Sequence, residues 1–429
     1  KEEGASWHEA GTGKLCAAVQ LGKAIEAEAA GKPAEASAWW EAAGENQSGS
    51  EHYARAAEAY SIGTPEKKEE GGSWHNAGAG KLRAAAQLEK AIEAEAANNT
   101  TLAQAWREAA RENQSVSEYY RKAAEARAIG TPEKKEEGAS WHEAGTGKLC
   151  AAVQLGKAIE AEAAGKSVLA QAWREAVGEN RSASEHYARA AEAYSIGTPE
   201  KKEEGKSWHE AGCGKYRAAE QLSKAIEANN PEVAQAWREA AAENQSVSEY
   251  YRKAAEARAI GTPEKKEEGA SWHEAGTGKL CAAVQLGKAI EAEAAGKPAV
   301  ASAWRVAAAE NQSASDYYVK AAEAKAIDTP EKTSESTSLH NAGRGKLRAA
   351  EQLARAIEAE AANNPAIASA WRAAAAQNQL ATKDFIRAAR KHAAGKSSRF
   401  FGKGGDAWDR DGQEKLRAAE ELAKAIPLP

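Results

Sequence analysis

Residues 1–32 read KEEGASWHEAGTGKLCAAVQLGKAIEAEAAGK, and the same stretch recurs unchanged at residues 135–166 and 266–297. Its tryptophan heads a series that runs through the chain: Trp7, Trp74, Trp141, Trp208, Trp272 and Trp408, with Leu339 in the sixth place. Successive steps are 67, 67, 67, 64, 67 and 69 residues. Self-similarity at a fixed period is typical of repeat architectures, so we interpret the chain as a tandem array.

A weaker duplication divides each unit into two halves. A shift of 32 residues lays Trp7 on Trp39, which heads a second tryptophan series: Trp39, Trp106, Trp173, Trp237, Trp304 and Trp371. Most halves end in Gly-Lys-Pro, Asn-Asn-Pro or Gly-Thr-Pro, as at Pro33, Pro231 and Pro65. A Gly or Asn that can adopt a left-handed conformation, followed by Pro, indicates that one helix ends and the next begins.

Inside each half, apolar and small residues keep a helical spacing. This phase continues across the middle of the half, which predicts two long helices of about 25 to 30 residues per repeat, each roughly 40 Å long. An alternative remains open. Gly11-Thr12-Gly13 and Glu45-Asn46-Gln47-Ser48 would be turns if each half were two short helices.

The predicted fold is all-α, an alpha-solenoid of tandem antiparallel helical hairpins with about 13 helices. Its handedness is not predicted. We divide the chain into repeats at residues 1–66, 67–133, 134–200, 201–264, 265–331 and 332–395. The sixth repeat is divergent, and Asp328 and residues 333–338 break the pattern before it. Residues 396–429 form a divergent linker and a partial seventh repeat or a C-terminal cap, in which residues 396–412 read as a cap or a docking loop.

Alanine fills most positions of the helix seams, so larger side chains must supply the buried area. The residues that we expect to pack the repeats are Trp7, Trp39, Trp74, Trp106, Trp141, Trp173, Trp208, Trp237, Trp272, Trp304, Trp371, Tyr53 and Tyr120.

Asparagine forms a further series: Asn46, Asn113, Asn180, Asn244 and Asn311. Each begins an Asn-x-Ser sequon, but Asn46 falls in step with Trp39 and Tyr53 on the packed face. We therefore predict that these side chains set the register between helices. Asn98 and Asn99 begin Asn-x-Thr sequons in a loop and are the better candidates for glycosylation.

The order Trp-x2-Ala-Gly followed by Ala-x3-Leu-x2-Ala resembles half of the tetratricopeptide consensus. KAIEAEAANN at residues 90–99 resembles the second helix and exit loop of that family. Because the interval from Trp7 to Leu21 is shorter than in that family, its peptide groove is not assigned to named residues. The wider pattern WHxAG, AWREAA and YYRKAAEA is similar to tandem-repeat proteins of chlamydia-like environmental bacteria. The resemblance covers residues 1 to about 390 and implies a helical array without chemistry.

The net charge of −5 comes from interspersed acidic and basic residues, and the mean hydropathy is −0.68. No basic stripe suited to nucleic acid is present, and no run of about 18 apolar residues is available to span a membrane. We therefore expect no nucleic-acid partner and no membrane insertion.

Repetition also argues against catalysis, because an active site brings unlike groups together at one place. Six histidines follow the first tryptophan series, namely His8, His75, His142, His209, His273 and His340. We expect them to cap helices or stack beside the tryptophans, since no further metal ligands stand at helical spacing. Cys16, Cys150 and Cys281 occupy one position in alternate repeats, too far apart for disulfides. Gly11-Thr12-Gly13-Lys14 lacks the strand and the Ser or Thr of a phosphate-binding loop.

These observations favour a non-enzymatic structural protein without cofactors: an elongated rod that assembles with itself, laterally or end to end, into a filament, sheath or surface layer. This hypothesis favours an extracellular or cell-surface location. The alternative is a tetratricopeptide-like scaffold that binds another protein. A third hypothesis is a ligand or pigment array built on the Trp-His pairs. Because the chain starts inside a repeat with Lys1 and shows no signal peptide, we expect a mature product or part of a longer array.

Overall fold

The computed structural model describes residues 1–327, 329–394 and 404–427, and these residues form thirteen α-helices and no strand. The first six helices are α1 (Glu2–Ala29), α2 (Pro33–Ile62), α3 (Pro65–Ala96), α4 (Thr100–Ile129), α5 (Pro132–Ala163) and α6 (Ser167–Ile196). The others are α7 (Pro199–Glu227), α8 (Pro231–Ile260), α9 (Pro263–Ala294), α10 (Pro298–Lys325), α11 (Pro330–Ala361), α12 (Pro365–Ala393) and α13 (Gly405–Lys424).

Each repeat holds two long helices, an odd-numbered one followed by an even-numbered one. Helices α1 to α12 are 28 to 32 residues long, so the prediction of two long helices is confirmed and the alternative of four short ones is wrong. The polar residues that suggested turns lie inside helices and bond to a neighbouring helix. Asn46 Nδ2 donates to Gln20 Oε1 at 2.7 Å, and Ser50 Oγ donates to the carbonyl of Ala10 at 2.7 Å. These side chains therefore do not compete with their own helix for backbone bonds.

The turns follow the predicted chemistry. Gly63 ends α2 with a φ of +78°, and the Thr64 side chain accepts from the backbone N–H of Lys67 at the start of α3. Pro65 occupies the first helical position, where no N–H is needed. Odd-to-even turns such as those at Gly31 and Asn98 use a residue in the same left-handed conformation.

Within each of two compact units, consecutive helices pack side by side in a solenoid-like arrangement, as predicted. The contacts divide the chain into two units, Lys1–Ile226 and Glu227–Pro429. In the first unit, Trp106 packs with Ala91, Ala151, Leu155 and Val177, which come from three other helices. In the second unit, Trp304 packs in the same way with Ala289 and Ile357. Alanines thus allow close helix approach, while one large ring per hairpin fills the space that remains.

The divergent C-terminal region is described in part. Helix α13 starts at Gly405 and packs against α12. Residues 395–403, which include the first eight residues of the predicted docking loop, lie outside the described residues, as do Asp328 and residues 428–429. None of the helices in the described part of the chain combines the length and the apolar composition that crossing a membrane requires.

Candidate functional site

Within each unit, tryptophans of the second series fill the space between the two helices of a hairpin. Trp106 is 7% exposed, and the ammonium group of Lys90 from α3 lies 4.1 Å from its ring centroid. Equivalent pairs join Lys23 to Trp39, Lys157 to Trp173, Lys288 to Trp304 and Arg355 to Trp371. A cation above an indole face adds electrostatic attraction to the apolar burial of the ring.

The first tryptophan series packs against the preceding repeat. Trp141 is buried, stacks on Tyr119 at 5.6 Å between ring centroids, and lies 4.4 Å from the ammonium of Lys122. Equivalent buried rings are Trp74, Trp208 and Trp272. Each of these tryptophans therefore joins an odd helix to the even helix before it.

Two of the named tryptophans are not buried. Trp7 is 48% exposed, because α1 has a packed neighbour on one side only within the described chain. Trp237 is half-buried. Packing around Trp7 is therefore weaker than sequence equivalence with Trp74 suggested.

Five histidines of the predicted ladder lie edge-on to a tyrosine rather than beside the residue they follow in sequence: His75, His142, His209, His273 and His340. The sixth, His8, is exposed on α1. His142 meets Tyr120 at 4.9 Å between ring centroids, and its Nδ1 lies 3.4 Å from both Ser73 Oγ and Arg127 Nη1. Burial, and then the positive charge of Arg127, lower the pKa of His142 from 6.5 to about 4. The neutral imidazole therefore accepts at Nδ1 and joins three helices. Stacking on tryptophan is instead done by His52 and His186, outside the predicted ladder.

Buried tyrosine rings explain why a glycine recurs at one position of the odd helices. Tyr53 and Tyr120 are buried, and a Cβ on Gly145 would stand only 3.0 Å from the ring of Tyr120. The Tyr120 hydroxyl lies 3.0 Å from Thr146 Oγ1. In the next repeat Tyr187 donates to the sulfur of Cys213, which stands in the place of that threonine.

The asparagine series lies inside the hairpins. Asn113 Nδ2 donates to Gln87 Oε1 at 2.7 Å, and Asn46, Asn180 and Asn311 make the same bond to Gln20, Gln154 and Gln285. Asn244 is also buried. Two of these glutamines reach one repeat further, where Gln20 donates to Glu89 and Gln154 to Ser223. The amides thus fix how far one helix is shifted along the next.

The loop sequons differ from one another. Asn98 is exposed with a φ of +59°. The side chain of Asn99 accepts from the backbone N–H of Leu102 at 3.1 Å and so caps α4. Asn98 therefore has the more accessible side chain of the two.

A ladder of ion pairs between repeats was missed from the sequence. Lys148 Nζ lies 3.2 Å from a carboxylate oxygen of Glu112, with both side chains mostly buried. The same pair joins Lys81 to Glu45, Lys215 to Glu179, Lys279 to Glu243 and Lys346 to Glu310. Gln114 also donates to Glu45 at 3.1 Å. The signal was present, since this Lys and this Glu recur with the tryptophans, but sequence spacing alone does not pair residues on different helices.

Grooves open between successive odd helices. One of about 280 Å³ lies between α3 and α5, with Trp106 on α4 at its base and Arg83, Lys90, Val153 and Lys157 on its walls. A groove of about 260 Å³ occupies the equivalent place around Trp371, with Arg348, Arg355 and Glu420 on its walls. The aromatic base recurs, while the walls change from one repeat to another.

The cysteines and the other titratable side chains described above make packing contacts and hydrogen bonds between helices. Burial raises the pKa of the Cys150 and Cys213 thiols, so neither is an activated thiolate. Over residues 1–327, 329–394 and 404–427, no three His, Cys, Asp or Glu side chains group as a metal site requires. A comparison with protein-family models and with curated proteins finds no match to this chain, so the resemblance to tetratricopeptide repeats and to proteins of chlamydia-like bacteria stays a prediction.

Proposed function

We propose that this chain is a non-enzymatic structural repeat protein whose copies associate side by side into a filament, sheath or surface layer. The helical repeat architecture is compatible with a structural or a scaffolding role. The observation that favours association between copies is a row of exposed isoleucines, one at each of the first five even-to-odd turns.

The row consists of Ile62, Ile129, Ile196, Ile260 and Ile327. Each is the last or nearly the last apolar residue before a turn, and each is 57 to 61% exposed. Three of them belong to the first unit and two to the second. A single exposed apolar residue needs no explanation, but the same residue exposed at three equivalent turns of the first unit and two of the second makes a periodic apolar edge on each unit.

A second copy of the chain fits this edge better than an unrelated partner does. Two copies carry rows of the same period, so one match in register brings several isoleucines together. Charges beside the row are of both signs and already paired along it, as in Lys135 with Glu66 at 3.4 Å and Lys202 with Glu133 at 3.1 Å. Mixed signs avoid the repulsion that a single-sign edge would cause.

The test is to image the native protein by negative-stain electron microscopy at several concentrations and to follow particle mass by light scattering. We expect ordered filaments or sheets that grow with concentration. A variant with all five row isoleucines changed to Ser should stay dispersed, because each exposed apolar contact between copies is lost.

The matched control changes five other exposed apolar residues to Ser: Leu15, Val19, Val168, Val306 and Leu380. This control should assemble like the native chain. Equal assembly of the row variant and the native protein, or dispersed particles of the native protein at every concentration, would rule out the isoleucine edge.

The grooves favour a second candidate, an interaction scaffold. The tryptophan at the base of each groove would anchor a ligand. The walls differ at equivalent positions, as Val153 and Glu420 show, and would select the ligand's sequence. Changing Arg83 and Lys90 to Glu should abolish capture of an acidic peptide in a binding titration while leaving assembly intact. Loss of assembly in that variant would argue that the groove is itself part of the contact between copies.

A further inference from the structure

Helix α13 takes the place of an odd helix against α11 and α12. Gly412 lies under the ring of Phe385, as Gly343 lies under Tyr318, and Leu416 is buried with Ala342 and Phe385. Ile426 is buried against Ala356 and Trp371. The face of α13 that packs on α11 and α12 therefore follows the repeat pattern.

In other odd helices, such as α3 and α11, the opposite face packs through small residues on the even helix of the same hairpin. A Cβ on Gly80 would stand 3.0 Å from the carbonyl oxygen of Asn113, and one on Gly345 would stand 3.2 Å from that of Asn378. Three positions make this contact in α11. Ala342 accepts from Thr382, Gly345 allows the close approach, and Gln352 accepts from Asn378 at 2.8 Å.

All three positions carry a carboxylate in α13. Alignment on Trp408 puts Asp411 in the place of Ala342, Glu414 in the place of Gly345 and Glu421 in the place of Gln352. Glu414 and Glu421 are exposed. A helix packed here would meet the Glu414 side chain where backbone contact is needed, and it would take the exposed carboxylates of Glu414 and Glu421 out of water.

We propose that Asp411, Glu414 and Glu421 make α13 a stop, a face on which no further even helix of the repeat type packs. The inference deepens the proposed function, on which it rests, by excluding this end from contacts that imitate the internal repeat contact. Copies then associate through their sides. Terminal repeats with a polar outer face are the general means by which repeat arrays end.

Other changes keep α13 attached despite its charged face. Lys415 pairs with the buried Asp384, and Asp409 accepts from both Ser338 at 2.9 Å and His392 at 3.1 Å. The guanidinium of Arg387 lies 4.8 Å from the ring centroid of Trp408. The packed face of α13 is therefore fixed, while its outer face points away from α11 and α12.

The experiment adds an even helix after α13 in the same chain. Residues 427–429 are replaced by a copy of residues 358–394, which carries the end of α11, the turn and α12. The extension is made on the native chain and on a variant with Asp411→Ala, Glu414→Gly and Glu421→Gln. Amide hydrogen exchange is then measured peptide by peptide, with α1 to α12 as the internal standard of folding.

We expect the added helix to exchange at least about tenfold more slowly in the variant than on the native face. A third chain with Glu414→Gln in place of Glu414→Gly should stay unprotected, because the neutral side chain still blocks the approach. Equal protection on the native and variant faces, or no protection on either, would overturn the proposal. The readout lies within one molecule, so it is independent of whether copies assemble.

Discussion

Trp106 shows how a single side chain holds four helices together. Its ring is buried among residues of α3, α5 and α6, and Lys90 covers one face. The position was predictable because the tryptophans carry the period. The covering lysine was not, because it lies on another helix at a separation that no local rule specifies.

Replacing Trp106 by Ala should lower the free energy of unfolding by about 3–5 kcal/mol, because a cavity forms where four helices meet. The measurement is urea denaturation followed by circular dichroism. Trp40, which is 44% exposed, is the matched control, and Trp40→Ala should change stability by less than about 1 kcal/mol. Indistinguishable midpoints for the two variants would contradict the packing role.

His142 should make the protein sensitive to acid. Its pKa is lowered from 6.5 to about 4 by burial and by Arg127, so in acid the unfolded chain takes up a proton before the folded chain does. Its contribution to stability is complete above pH 6.5, falls as the pH drops to about 4, and then stays constant. Between pH 7 and pH 4.5, the free energy of unfolding should fall by about 1–3 kcal/mol less in His142→Gln than in the native protein. An identical pH dependence in both proteins, measured by urea denaturation, would exclude this account.

At the scale of the helix, glycine serves close packing and not chain reversal. Gly80 lies within α3, where a Cβ would stand 3.0 Å from both the carbonyl oxygen of Asn113 and the amide nitrogen of Ser117. The sequence alone left a turn at such glycines open, because local propensity treats a helical glycine as a weakness. Only the neighbouring helix shows why the residue is needed.

Gly80→Ala should therefore destabilise the protein by about 1–3 kcal/mol, although alanine is the better helix former, because α4 must move away. The control is Gly178→Ala in α6, where a Cβ would meet no atom within 4 Å. That variant should gain up to about 1 kcal/mol from helix propensity. Thermal unfolding of the two variants gives the comparison, and stabilisation by both would mean that the helices have room at Gly80.

The helices and turns could be predicted from the sequence because their signals are local: the tryptophan period, the Gly-Thr-Pro turns and the apolar spacing. The candidate site was predictable only as a set of buried positions. The Lys148–Glu112 pair and the His142–Tyr120 contact join different helices, and their geometry depends on how those helices pack.

At the scale of the chain, stability is a sum of terms between neighbours. The same amide bonds, ion pairs and ring contacts recur in unit Lys1–Ile226 and in unit Glu227–Pro429. Each repeat contacts the next one along the chain, so a local change should weaken its own neighbourhood first.

Alternation between repeats has a consequence for how the chain avoids errors during folding. Neighbouring repeats differ where they meet, as His52 and Tyr119 or Tyr60 and Arg127 do, while the identical stretches 1–32, 135–166 and 266–297 are separated by a whole repeat. Exchanging one identical helix for another would enclose that intervening repeat in a loop, and the entropy lost on closure grows with loop length. We therefore expect the nascent chain to pair each helix with its correct neighbour before an identical copy of that neighbour has been synthesised.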